Sequence, residues 1–215
     1  MPLRRDARST TGPFRVILLL GTGNPGKIRE LRAILEPIPG LQLATRDDTP
    51  FPDIPEVGST FAENAILKAR GIASATGVAV LAEDSGLCVR ALRGAPGVRS
   101  ARYAGSPTDH RANTERLLRE LTGVTDRAAR FVSVAVLRFE DGREVLRAGV
   151  LAGRIARRPT GSGGFGYDPV FVPDGFTQTL AELPPETKNE LSHRVRAVNP
   201  LRGVLRQELD ARASR

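Results

Sequence analysis

The chain has 215 residues, 40% of them hydrophobic and 26% charged, with a formal net charge of +8, a balance that builds one buried core and excludes fibrous or low-complexity classes. No apolar run approaches the roughly 18 residues of a membrane span, and the first residues lack the apolar stretch of a signal peptide, so a cytoplasmic protein with no membrane partner is expected. The basic residues are scattered along the chain and only 5% of residues are aromatic, which argues against a stable nucleic-acid partner, because single strands are gripped by interleaved cations and stacking rings.

Residues 1–14 carry Arg4, Arg5 and Arg8 among Ser, Thr, Gly and Pro with no apolar period. They read as a flexible leader to a single domain over 15–215. Val16 to Leu20 is a continuous apolar run, typical of a strand buried on both faces, and it feeds a glycine loop and a helix from about Lys27 to Leu35. A second strand is expected over Leu41 to Thr45, then a loop rich in Pro and Asp from Asp47 to Gly58. Thr60 and Glu63 form a capping box, so a helix should run to about Thr76 and stop at Gly77. Asn64 and Lys68, one turn apart, share a face of that helix. Val78 to Ala82 reads as a buried strand, with Glu83-Asp84-Ser85-Gly86 at its carboxyl end, where open α/β sheets bind ligands. The single cysteine, Cys88, lies between Leu87 and Val89 and reads as a small, buried structural side chain. A helix is expected over Thr108 to Leu121, with His110 solvated. Next comes a hairpin whose strands, Arg130 to Phe139 and on through about Ile155, turn at Asp141-Gly142. Thr160 to Pro169 is a glycine-rich loop and Val170 to Val172 a short strand. The last long helix begins near Pro185 and is kinked or split by Pro200. The fold class is α/β with a mixed sheet.

The stretch Gly21-Thr22-Gly23-Asn24-Pro25-Gly26-Lys27 satisfies two patterns at once. Gly21, Gly23 and Gly26 fit the dinucleotide fingerprint, with Asp47 or Asp48 about 20 residues on, although Lys27 and Glu30 suit its close helix packing poorly. Gly21 with Gly26-Lys27 fits the P-loop, although Ile28 stands where a magnesium-holding Ser or Thr belongs. Common to both is a phosphate site built from backbone N–H groups at a helix N-terminus plus Lys27. Of 32 basic residues only Lys27, Lys68 and Lys188 are lysines, and a compact ammonium is a different ligand from a planar guanidinium fork. Glu83 and Asp84, with Glu56, offer the hard oxygens that hold magnesium beside substrate phosphates.

Seven blocks in order carry a resemblance: Thr22 to Lys27, Phe61 to Arg70, Glu83 to Leu87, Gly94-Ala95-Pro96-Gly97, Ser100-Ala101-Arg102-Tyr103, Gly163 to Pro169 and Ser192-His193-Arg194. Together they resemble the inosine triphosphate pyrophosphatase family, also called the HAM1 family or XTP/dITP diphosphatases. The resemblance implies a two-lobed α/β fold, with a central mixed β-sheet flanked by helices and an active cleft between the lobes. It implies a homodimer that uses Mg2+ to hydrolyse a purine nucleoside triphosphate, namely ITP, dITP or XTP, to the monophosphate and pyrophosphate, so that these nucleotides do not enter DNA or RNA. By the same likeness Thr22, Gly23, Asn24, Pro25, Gly26 and Lys27 form the triphosphate grip, and Lys68 is a second phosphate ligand. Asp84 is the general base and a metal ligand, Glu56 and Glu83 complete the metal environment, and Ser85 contacts substrate. Phe165, Gly166, Tyr167 and Asp168 belong to the base-binding loop, and Lys188, His193 and Arg194 read the base. Glu83 is one methylene longer than the aspartate many relatives carry there, which implies contact with the metal through water. Donors such as Arg194 or Lys188 would donate to the C6 oxygen of hypoxanthine or xanthine and face the amino group of adenine donor to donor.

Overall fold

A computed structural model describes residues 16–214, and the leader expected over residues 1–14 lies outside them. The apolar run forms strand β1 (Val16–Leu20), flanked in parallel by β2 (Leu41–Ala44) and β3 (Ala79–Val89). Helix α1 (Pro25–Leu35) connects β1 to β2, and α2 (Phe61–Thr76) connects β2 to β3. The capping box of α2 is present: Thr60 Oγ1 accepts from Glu63 N at 3.1 Å, and Gly77 ends the helix at φ 70°. After α3 (His110–Glu120), the expected hairpin pairs β4 (Ala128–Arg138) with β5 (Glu144–Ile155), and the short β6 (Phe171–Pro173) closes the edge. The six-stranded sheet is therefore mixed, in the order β2-β1-β3-β4-β5-β6. Among the described residues no helix is long and apolar enough to cross a membrane.

Strand alternation divides the core. Leu18, Leu20 and Leu81 pack on Leu31 and Ile34 of α1, whereas Leu19, Val80 and Ala82 pack on Ala69 and Ile72 of α2. A third cluster gathers farther along the sheet, where Leu87, Phe131 and Leu151 meet Leu117 of α3 and Phe171. Strands β3 and β4 have 11 residues and β5 has 12, roughly 36–40 Å of extended chain. They run through both lobes and make the two-lobed sheet continuous.

Two predicted boundaries change. Strand β3 does not end at Ala82; it continues through Glu83, Asp84, Ser85 and Gly86 to Val89. Its parallel partner β1 pairs only with Ala79 to Leu81, but β4 continues the ladder, placing Glu83 opposite Ala135 and Asp84 opposite Val134. The two acids are thus ladder residues rather than loop residues, and neighbours on a strand point to opposite faces. The terminal helix is broken twice, into α4 (Pro185–Leu191), α5 (His193–Val198) and α6 (Leu201–Ala213). Pro200 makes the second break, as expected. The first is at Ser192, which is extended and caps α5 by accepting from Val195 N at 3.1 Å. Cys88 is half-buried rather than fully buried, and burial pushes its thiol up, which keeps it protonated and inert.

Helix α5 lies against β5 at Gly149, where an added Cβ would overlap His193 O and Ala197 N. Both are backbone atoms, so Gly149→Ala must lift the helix, and overpacking of this kind costs about 1–3 kcal/mol. Thermal unfolding should shift down by roughly 2–4 °C for each kcal/mol lost. An unchanged midpoint would mean that α5 does not rest on this strand.

Candidate functional site

Because β1 stops at Leu20 while β3 runs on, the edge of β3 beyond Leu81 is left uncovered, and a cavity of about 310 Å³ opens beside it. Every site residue expected from the sequence lines this cavity except Pro25, Gly26 and Glu83. Pro25 is exposed at the first position of α1, a place suited to a residue without an N–H. Gly26 is the floor beneath Phe165, whose ring atom Cδ1 lies 2.7 Å from where a Cβ would stand.

At one end of the cavity, Asn24 Oδ1 accepts from Gly26 N at 2.8 Å and Lys27 N at 3.2 Å, and Thr22 Oγ1 accepts from Asn24 N at 3.2 Å. The amides of Asn24, Gly26 and Lys27 are therefore capped by side chains of the same loop. What remains is Lys27 itself. It is half-buried, lines the cavity, and forms no ion pair among the described residues. Burial lowers its pKa against the pull of Glu83 and Asp84, with Lys68 and Arg194 adding repulsion. An ammonium in this position has an open demand for an anion.

Lys68 is committed differently, with Nζ 2.6 Å from Glu56 Oε1 and 3.5 Å from Asp84 Oδ1. Asn64, on the same face of α2 as the spacing predicts, donates to Asp84 Oδ2 at 3.1 Å. Arg102 reaches Glu56 Oε2 at 3.2 Å. Burial raises the pKa of Asp84 by more than Lys68 and Lys27 lower it, so its carboxylate is more basic than an ordinary aspartate. Burial acts on Glu56 too, but Lys68, Lys27 and Arg102 outweigh it and hold that carboxyl below the usual range.

Glu83 points away from this group. Ser133 Oγ donates to its Oε1 at 2.9 Å, and Arg194 clasps it with Nε at 2.6 Å from Oε2 and Nη2 at 3.0 Å from Oε1. The expected metal trio of Glu56, Glu83 and Asp84 is thus not gathered, because strand alternation separates Glu83 from Asp84. Among the described residues no three His, Cys, Asp or Glu side chains group as metal ligands. Glu56 and Asp84 do converge from two elements on a single cation, Lys68 Nζ. Such a pair of hard oxygens suits magnesium, which usually takes one or two carboxylates and keeps its waters.

The other end of the cavity rests on a buried ion cluster. Arg194, 1% exposed, donates through Nη1 to Glu30 of α1 and through Nη2 to Ser85 Oγ at 3.2 Å. Lys188 Nζ lies 2.9 Å from Glu30 and 2.7 Å from Asp168 Oδ2, which also accepts from Phe165 N at 2.7 Å. Lys188 Nζ is 4.9 Å and Arg194 Cζ 5.9 Å from the centre of the Phe165 ring, so two cations face one aromatic surface. His193 stacks on Phe131 at 4.8 Å and 10°. Burial pushes its pKa well below the ordinary value, leaving it neutral, and its buried Nδ1 has no hydrogen-bond partner among the described residues. Gly166 lines the cavity at φ 64°, and Tyr167 fixes the loop by donating its hydroxyl to Ser100 O at 2.9 Å.

Glu30 is the important residue that the motifs do not reveal, although an acid among the buried positions Leu31, Ile34 and Leu35 of α1 was a usable signal. His110 is exposed as expected, yet it stands on the cavity rim, 6.3 Å from Phe165. Arg46, Phe51 and Asp53, in the loop after β2, also line the cavity.

The Ham1 family model matches residues 18–204. The chain is 49% identical over 197 residues to the dITP/XTP pyrophosphatase of Streptomyces coelicolor, covering 89% of this chain and 98% of that one. It is 47% identical over 192 residues to the dITP/XTP pyrophosphatase of Xylella fastidiosa, covering 87% and 96%. Among solved structures, a HAM1 protein from Coxiella burnetii is 40% identical with a TM-score of 0.81, and the Ham1 protein of Staphylococcus aureus is 40% identical with a TM-score of 0.80. Both alignments cover 89% of this chain and 99% of the other. The matched residues take in both lobes and every side chain of the cavity, and the chain belongs to the Ham1 family.

Proposed function

We propose that the chain hydrolyses deaminated purine nucleoside triphosphates, ITP, dITP and XTP, to the monophosphate and pyrophosphate. The observation that carries this reading is the division of one cavity into two chemistries. One end sets the unpaired Lys27 beside Asp84, Glu56 and Lys68. The other sets Phe165 and the open His193 Nδ1 beside the anchored Lys188 and Arg194. Relatives that share nearly half of the sequence carry the name of this activity.

In this reaction a water oxygen attacks the α-phosphorus, the bond from that phosphorus to the α,β-bridging oxygen breaks, and pyrophosphate departs. Asp84 takes the proton of the attacking water, a role suited to a carboxylate made more basic by burial. Lys27 and Lys68 stabilise the charge that collects on the leaving phosphates. Glu56 and Asp84 would hold magnesium, which when bound supplies further positive charge against the phosphate oxygens. A homodimer in the cytoplasm belongs to the same proposal, supported by the family resemblance.

Base choice follows from what the donors have left. Arg194 spends Nε–H, both Nη2–H groups and one Nη1–H on Glu83, Ser85 and Glu30, and Lys188 spends a donor each on Glu30 and Asp168. Each keeps one N–H, held in place by buried carboxylates. A C6 oxygen can accept from such a donor, whereas the amino group of adenine cannot, and sites of this kind reject the mismatched analogue by up to about 10⁴. Pyrophosphate release from ITP, XTP, dITP, GTP and ATP, with and without magnesium, checks the proposal. The deaminated substrates should be turned over at least about 100-fold faster than ATP, and only with the metal present. Equal rates on all five would sink the base reading, and release of inorganic phosphate alone would sink the reaction.

A further inference from the structure

The loop after β2 brings a cation to the phosphate end of the cavity that the chemistry above does not use. Parallel pairing sets Ala44 of β2 beside Leu19 of β1, so Arg46, two residues on, emerges level with Gly21 at the same edge of the sheet. Arg46 lines the cavity together with Phe51 and Asp53. Its guanidinium lies over the Phe51 ring, 5.2 Å from the centre, and Nη1 is 2.7 Å from Asp53 Oδ1. The Asp53 side chain is 91% exposed, and water and salt screen an ion pair with so exposed a partner. Asp53 therefore holds Arg46 weakly, while the Phe51 face keeps the guanidinium at the cavity wall.

The charges at this end leave room for such a residue. A nucleoside triphosphate carries about four negative charges near neutral pH. Lys27 is the cavity lysine without a carboxylate partner among the described residues, and Lys68 is shared between Glu56 and Asp84. A guanidinium fork matches the oxygens of a phosphate better than it matches a single exposed carboxylate oxygen.

Resting on the reaction proposed above, we infer that Arg46 is a binding residue for the terminal phosphates. When a nucleotide enters, Arg46 exchanges Asp53 for oxygens of the phosphates that leave as pyrophosphate, and Asp53 competes with the ligand for it. The inference gives the loop after β2 a role in holding the leaving group, distinct from the purine-reading end of the cavity.

Calorimetric titration of the full chain with inorganic pyrophosphate, and separately with inosine monophosphate, tests this in the parent, Arg46→Gln, Arg46→Lys and Asp53→Asn. Arg46→Gln should weaken pyrophosphate binding about tenfold and leave inosine monophosphate binding unaltered. Arg46→Lys should recover part of the loss, and Asp53→Asn should tighten pyrophosphate binding about two- to threefold, because the competitor is gone. In ITP hydrolysis the same Arg46→Gln change should raise KM with kcat within about threefold of the parent. Undiminished pyrophosphate binding in Arg46→Gln would overturn the inference, as would an equal loss for inosine monophosphate, which would mark a disturbed loop. A parent protein that binds pyrophosphate through Arg46 but releases none from ITP would uphold this site and defeat the proposed reaction instead.

Discussion

Asp84→Asn is expected to lower turnover of ITP by about 10²–10⁴ while nucleotide affinity stays close to that of the parent. The side chain sits in a ladder position opposite Val134, so its backbone is fixed by pairing rather than by its charge. Asparagine has the same shape and keeps an oxygen for the amide of Asn64, which lies 3.1 Å from Asp84 Oδ2. What disappears is the capacity to take a proton. The pKa of Asp84 is raised, chiefly by burial, above the ordinary 3.8. The parent must therefore lose activity on the acid side at a higher pH than an exposed aspartate would give, because the base has to be ionised to act. The residual activity of Asp84→Asn should lack that acid limb. Steady-state pyrophosphate release across pH, paired with titration of a non-hydrolysable inosine triphosphate analogue, separates the two effects. Full turnover in the variant would remove Asp84 as the base, and loss of analogue binding in step with turnover would mark it as a binding residue only.

The parts of the fold that were legible in the sequence are those whose cause is local. Thr60, Glu63 and Gly77 state both ends of α2 through their own hydrogen bonds, and Asp141-Gly142 states the hairpin turn. The motif blocks brought the triphosphate loop, Lys68, Asp84, Ser85, the Phe165 loop and Arg194 to notice because they are fixed runs of chain, whereas Glu30, Arg46, Phe51 and Asp53 line the same cavity from outside any block. The course of β3 was not legible. Glu83, Asp84, Ser85 and Gly86 are poor strand formers in isolation, and only pairing with β4, some 50 residues away, draws them into the ladder. That single difference undid the metal trio, since a loop could present Glu83 and Asp84 together and a strand cannot. The capping of α1 is a different case: Asn24 followed by Pro25 is itself a helix-start signature, masked by the more conspicuous glycines around it. Glu30 and Arg194, 164 residues apart, carry no local sign of each other.

Arg194→Ala should produce the largest loss of stability of any single change in this site, about 3–5 kcal/mol, because it leaves buried carboxylates unpaired. Arg194 is the common partner of Glu30 and Glu83, and Glu83 is only 1% exposed. Burial by itself would raise the pKa of Glu83, yet Arg194 and Lys27 outweigh it and push that carboxyl far below its ordinary 4.5. A folded-state pKa below the unfolded one means that the contribution of Glu83 to stability is fully present above about pH 4.5 and is lost as pH falls through the folded value. Removing Arg194 takes away the largest of the opposing charges, so burial then governs and the pKa of Glu83 rises above 4.5. The sign of the linkage reverses: the variant should regain stability on acidification, where Glu83 is protonated, while the parent does not. Adding Glu83→Gln to Arg194→Ala should recover part of the loss at neutral pH, since the uncompensated charge is gone. Denaturant unfolding of the parent, the single variants and the double variant at about pH 5 and pH 8 measures this directly. Strictly additive losses at both pH values would show that Arg194 acts by packing alone. A coupled result would mean that the donor offered to the purine and the backbone carrying Asp84 are set by one buried ion pair, through adjacent residues of β3.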